Sequence, residues 1–96
     1  SVMLESRILP KTEYFEFRGM IYDVTFNNYL TRHGGPFDRG SADSYYRRPS
    51  VPHYWPEGTG HGEQVMEKDL TEDEVVEYLA GYEYNETVNM DFKDWG

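Results

Sequence analysis

The apolar side chains of this chain are mostly rings. Nine Tyr, five Phe and two Trp stand in 96 residues while Leu and Ile are scarce, so a core has to be assembled from flat side chains, many with polar tips, rather than from branched aliphatics. A chain of this length buries roughly 60–65% of its unfolded surface on folding, which allows one small core with little tolerance for cavities or unpaired polar atoms. Residues 1–96 are therefore expected to form a single domain, with 1–12 as a flexible N-terminal segment. Ser1-Val2-Met3 reads as a remnant ahead of a start at Met3, and Met20 is a second candidate start.

The rings fall into patterns that assign elements. Phe15-Glu16-Phe17 and Tyr22-Asp23-Val24-Thr25-Phe26 alternate with the two-residue period of a half-buried strand. The spacing predicts a strand or hairpin over residues 13–27, with Arg18-Gly19 as the turn, or one strand at 20–27. Gly34-Gly35-Pro36 and then Pro49, Pro52 and Pro56 bracket a second segment. Pro36 suits a first helical turn, Asp38 the positive end of a helix dipole and Arg47-Arg48 the negative end, which predicts a helix near 37–48. Gly40 lies inside it at a cost of roughly 1 kcal/mol against Ala, a placement that permits close approach of another backbone or ring. Ser50 to Gly62 reads as an irregular loop anchored by Tyr54 and Trp55.

Thr71-Glu72-Asp73-Glu74 is a capping box, and Leu70 precedes it in the position of a hydrophobic staple to Val75. Val75, Tyr78, Leu79 and Tyr82 recur at helical spacing, predicting a helix from Glu72 to about Asn85 with that face inward. The rings of Phe92 and Trp95 are expected to fold back onto the body. The fold class expected is thus a small α+β domain, a strand or hairpin followed by two helices joined by an aromatic, Pro- and Gly-rich loop.

Charge divides the chain. Residues 1–56 carry seven bases and six acids, whereas residues 57–96 carry twelve acids against Lys68 and Lys93, and the total is −9. That balance argues against direct binding to nucleic acid or to an anionic membrane. No Cys is present, which excludes a disulfide, a thiolate nucleophile and a Cys-based zinc site. No apolar run reaches the length of a membrane span, so a cytoplasmic location is expected.

Catalytic signatures are weak. His53, His61 and Glu63 are the neighbours that point to a metal, but the H-x-E pattern at His61 lacks the cysteine ligands its zinc chemistry needs, and no H-E-x-x-H helix occurs. Gly58-Thr59-Gly60-His61-Gly62 lacks the Lys-Ser/Thr of a phosphate loop. Glu74 and Glu77 read as a solvated helix face, and Ser41 and Ser44 flank Asp43 with no His beside them in sequence. No enzymatic activity, metal or other cofactor is expected.

The richest constellation is Arg39, Asp43, Tyr45, Tyr46, Arg47, Arg48, His53, Tyr54 and Trp55. Tyr, Trp and Arg dominate binding hot spots because they combine rigid contact area with a polar handle. These residues are predicted as a protein-binding surface, although several rings are needed for the core and Arg39 can simply pair with Asp43 one turn later. The alternative surface is acidic: Glu67, Asp69, Glu72, Asp73 and Glu77, with carboxylates imitating phosphates.

Gly35-Pro36-Phe37-Asp38-Arg39-Gly40-Ser41-Ala42-Asp43-Ser44-Tyr45-Tyr46, followed by Arg48, Pro52-His53, Leu70-Thr71, Glu74 and Tyr78-Leu79-Ala80-Gly81-Tyr82, resembles small uncharacterised proteins common in bacteriophage and prophage genomes, over about Met20 to Trp95. More distantly, the helix pair with Arg39-Gly40 and Gly81-Tyr82 looks like that of ribosome modulation factors, which bear a glycine in each arm. Those factors are basic and bind ribosomal RNA, whereas this chain carries −9. The resemblance implies a phage-type regulatory or inhibitory protein that binds a host or phage protein in the bacterial cytoplasm, with self-association left open. Nucleic-acid mimicry in a basic groove and a ribosome-associated role are the alternatives.

Overall fold

The computed structural model describes residues 14–24 and 33–94. The expectations for residues 1–12, for a strand continuing through 25–27 and for Trp95 lie outside them. The architecture is α+β: a two-stranded hairpin, then two helices joined by a long loop.

Strands β1 (Tyr14–Phe17) and β2 (Met20–Asp23) pair antiparallel, with Phe17 opposite Met20 and Phe15 opposite Tyr22. Arg18 and Gly19 both take positive φ, 53° and 82°, as the tightest hairpin turns require. Alternation then sends Phe15, Phe17 and Tyr22 inward and leaves Tyr14, Glu16 and Ile21 exposed.

Helix α1 spans Pro36–Tyr45 with Pro at its start. It ends earlier than the predicted 48, because Arg47 adopts φ 60° and closes a Schellman motif: Arg47 N–H donates to Ser44 O (2.9 Å) and Arg48 N–H to Asp43 O (2.8 Å). Arg47 and Arg48 thus stand just beyond the helix instead of in its last turn. Helix α2 spans Glu72–Tyr84 behind the predicted capping box, with Glu74 N–H donating to Thr71 Oγ1 (3.1 Å) and Thr71 N–H to Glu74 Oε1 (2.9 Å). It continues into a π-turn, Asn85–Asn89, closed by Met90 at φ 51°. Between the helices, two-residue strands β3 (His53–Tyr54) and β4 (Val65–Met66) pair antiparallel and tie the base of a loop that reads as irregular in sequence.

Two glycines set the helix crossing. A Cβ on Gly40 would lie 2.0 Å from Tyr78 O, and one on Gly81 would lie 2.0 Å from Phe37 O. Each helix therefore rests its glycine on a carbonyl of the other. This crossing rotates α2 relative to the predicted face. Tyr78, Ala80 and Gly81 are its buried residues, while Val75, Leu79 and Tyr82 are only half-buried.

The hydrophobic core joins the hairpin to both helices through Tyr22, Phe37 and Ala80, flanked by Phe15, Phe17, Val24 and Tyr84. The rings meet at angles: Phe15 on Tyr84 (5.3 Å between centroids), Tyr22 on Phe37 (5.6 Å) and Phe37 on Tyr84 (5.7 Å). The tail returns as expected at Phe92, where the Arg47 guanidinium sits 4.9 Å from the ring centroid and Lys93 N–H donates to Tyr45 O (2.7 Å).

Replacing Gly81 or Gly40 by Ala should lower stability by about 1–3 kcal/mol in chemical denaturation, because overpacking against a backbone oxygen outweighs about 1 kcal/mol of helix propensity; a stabilised Ala variant would show that the helices separate freely. Tyr22 is 3% exposed and its hydroxyl has no hydrogen-bond partner among the described residues. A buried unpaired hydroxyl costs about 1–3 kcal/mol, so Tyr22→Phe should unfold at equal or higher urea concentration than the parent. A clear drop would mean that the hydroxyl is satisfied.

Candidate functional site

The predicted binding cluster divides into a buried half and an exposed half. Asp43, on the inner side of α1, is 4% exposed and is surrounded by donors. Tyr78 OH donates to its Oδ2, Arg48 Nη1 lies 3.0 Å from Oδ1, and Arg39 Nη2 lies 3.7 Å from the same oxygen. A carboxylate can be held inside only with such charge pairing and hydrogen bonding. Arg39 is itself largely buried, and its Nε donates to His53 Nε2 (3.2 Å). His53 Nδ1 lies 2.8 Å from Val51 O, so the Nδ1–H tautomer satisfies both ring nitrogens, one donating and one accepting. Tyr78 OH also accepts the Val51 N–H (3.1 Å). Arg39, Asp43 and His53 thus lock the loop onto the helix pair.

A second polar group continues this seam toward the helix C-termini. Ser44, fully buried, donates through Oγ to Glu86 Oε2 (2.6 Å) and accepts from Asn85 Nδ2 (2.9 Å). Asn85 Nδ2 also donates to Asp91 O (2.9 Å), and Asn85 Oδ1 accepts from Asn89 Nδ2 (2.9 Å). These bonds occupy the hydroxyl of Ser44 and tie α1 to α2 and the turn after it. No local sequence pattern marks Asn85 or Tyr78 as polar participants, and in the helical period Tyr78 counts only as an apolar position. The signal that could have found them is a buried Asp in α1, which obliges donors on whatever packs against it.

The exposed half is the ridge after α1. The Tyr45 and Tyr46 rings meet edge to face at 4.9 Å, and the Arg48 guanidinium lies 4.6 Å from the Tyr46 centroid. Arg48 carbonyl accepts Tyr82 OH (2.5 Å), and Arg47 Nε donates to Lys93 O (3.4 Å). Both guanidiniums stand at the surface while their backbone is fixed by the Schellman motif. Tyr54 and Trp55 are half-buried on β3 and just after it, and Trp55 N–H donates to Gly34 O (2.7 Å). On the other side, Glu67, Asp69, Glu72 and Asp73 are exposed, and Glu77 is half-buried near the Tyr22 phenol.

Among the described residues no group of three or more His, Asp or Glu side chains is arranged to hold a metal, and no helix among them is long and apolar enough to cross a membrane. Comparison with protein-family models, with curated proteins and with solved structures returns no match.

Three phenols titrate late. Tyr78 is pushed well above the ordinary tyrosine value by burial and by donation to Asp43, Tyr82 by burial and the nearby Glu86 and Asp43 carboxylates, and Tyr22 by burial and the Glu77 and Asp73 charges. Below about pH 10, the ordinary value, neither folded nor unfolded chain ionises these groups and their stabilisation is complete. Above it the unfolded chain releases protons that the folded chain still holds, so stability falls as pH rises toward the folded values. Absorbance of tyrosinate during alkaline titration should show these phenols ionising last, together with unfolding. Tyr78→Phe should flatten the alkaline loss of stability, and an unchanged slope would contradict the assignment.

Proposed function

We propose that this chain is a non-enzymatic protein-binding factor of the phage type, regulating or inhibiting a host or phage protein in the bacterial cytoplasm. The observation that carries this is the Tyr46–Arg47–Arg48 ridge. Two exposed guanidiniums are braced by aromatic stacking and a fixed backbone turn, so little side-chain entropy remains to be lost when a partner docks. Trp55 and Tyr54 follow the ridge in sequence and are half-buried, while Asp43 pairs with Arg48 of the ridge from inside and Arg39 and His53 hold Asp43 in turn. The residues with catalytic potential, Ser44 and His53, are committed to structural hydrogen bonds.

The mimicry alternative draws on Glu67, Asp69, Glu72 and Asp73, all exposed on the acidic half of the chain. The ribosome-associated alternative draws on the paired glycines, whose placement the helix crossing accounts for without an RNA partner.

Affinity capture with mass spectrometry identifies the partner, and titration calorimetry with the purified pair then ranks the surfaces. Arg47→Ala and Trp55→Ala should weaken binding by about 1–3 kcal/mol with the fold retained, the range of a moderate hot spot. Reversing Glu72 and Asp73 to Lys should matter much less, and added salt should change affinity little. The opposite ranking, with affinity falling steeply as ionic strength rises, would replace this function with nucleic-acid mimicry.

A further inference from the structure

The metal pattern visible in the sequence, His53 with His61, is dissolved by the fold, because both nitrogens of His53 are engaged inside. A different pair takes its place. The loop at Gly34 and the loop at 55–62 lie against one another: Gly34 is so close to the second loop that a Cβ on it would fall 2.7 Å from Gly58 Cα and from Trp55 O. Trp55 N–H to Gly34 O (2.7 Å), Gly58 N–H to Trp55 O (3.0 Å) and His61 N–H to Gly58 O (2.8 Å) fix the two backbones. From these loops His33 and His61 converge. Their Cδ2 atoms lie 3.8 Å and 3.7 Å from the single point where a Gly58 Cβ would be.

Cδ2 is bonded to Nε2, so each ring brings its metal-binding nitrogen to the same corner. Both side chains are exposed, His33 to 75%, so their rings can turn, and a shared ion would take both Nε2 atoms at about 2.0–2.1 Å. Asp38 Oδ2 stands 3.8 Å from His33 Nδ1 and is itself held by the Gly34 N–H (2.8 Å). A carboxylate on that side favours the Nδ1–H tautomer and leaves Nε2 as the lone-pair donor, the arrangement common behind metal-bound imidazoles. The Glu57 carboxylate, 3.1–3.4 Å from the Gly62 Cβ position, adds negative charge beside His61.

We propose that His33 and His61 form a two-imidazole surface site for a late first-row divalent ion, Zn2+, Ni2+ or Cu2+, with water completing the coordination. Imidazole selects these ions over Mg2+ and Ca2+, which prefer oxygen. Neither histidine belongs to the hydrophobic core, and the loop that carries His61 also carries Trp55.

The test uses untagged full-length protein titrated with Zn2+ and Ni2+ by calorimetry, with the histidine ring resonances followed by NMR. One ion should bind per chain with micromolar affinity, and His33→Ala or His61→Ala should each weaken it by about tenfold or more, with unchanged circular dichroism. Asp38→Asn, which keeps an acceptor for Gly34, should also weaken it, by about tenfold. Substoichiometric Ni2+ should broaden the His33 and His61 resonances before those of His53. Absence of saturable binding, insensitivity to both His→Ala changes, or broadening centred on Glu72 and Asp73 would each overturn the proposal.

Discussion

Two backbone carbonyls, those of Phe37 and Tyr78, set the separation of the helices, because each has a glycine pressed against it. Everything polar in the interior follows from that separation. With Gly40 resting on Tyr78 O and Gly81 on Phe37 O, Asp43 comes within reach of the Tyr78 hydroxyl and Ser44 within reach of Asn85. A methyl group at either glycine would move the helices apart and strain hydrogen bonds that a buried carboxylate cannot do without.

The uneven charge of the chain acquires a structural meaning from this arrangement. In the near-neutral first half, Arg39 and Arg48 pair with Asp43, Arg39 from inside and Arg48 from the surface. The acidic second half keeps Glu67, Asp69, Glu72 and Asp73 at the surface. Three of the first-turn acids of α2 also suit the positive end of its dipole. The net charge is therefore an exterior property carried by one half of the sequence, and it favours solubility while leaving the braced arginines locally distinct.

Local signals in the sequence are enough for strand structure over 13–27, the capping box and the role of Gly40, since alternation, a Thr-to-Glu spacing of three and a glycine in a helix each have a direct physical reading, and only the pairing of β1 with β2 decides for a hairpin. The rotation of α2 was not legible, because Ala80 and Gly81 are too small to register in a hydrophobic period although they make the closest contact. The burial of Asp43 and His53 was not legible either. Both are polar, and only tertiary packing shows that one needs Tyr78, 35 residues away, and the other Arg39. The same holds for His33, separated from His61 by most of the middle of the chain until two loops meet.

The Asp43 seam also makes the helix pair depend on contacts far apart in sequence. The hairpin pairs residues within nine positions of one another, and α2 carries its own start signal, so both rest on local contacts. Asp43 to Tyr78, by contrast, joins residues 35 apart, and Ser44 to Asn85 joins residues 41 apart. Until that large loop closes, the carboxylate is solvated and the helices have no reason to meet closely. Dehydrating the charge and closing the long loop are therefore coupled: neither the Asp43–Tyr78 nor the Ser44–Asn85 hydrogen bond can form until the helices have crossed.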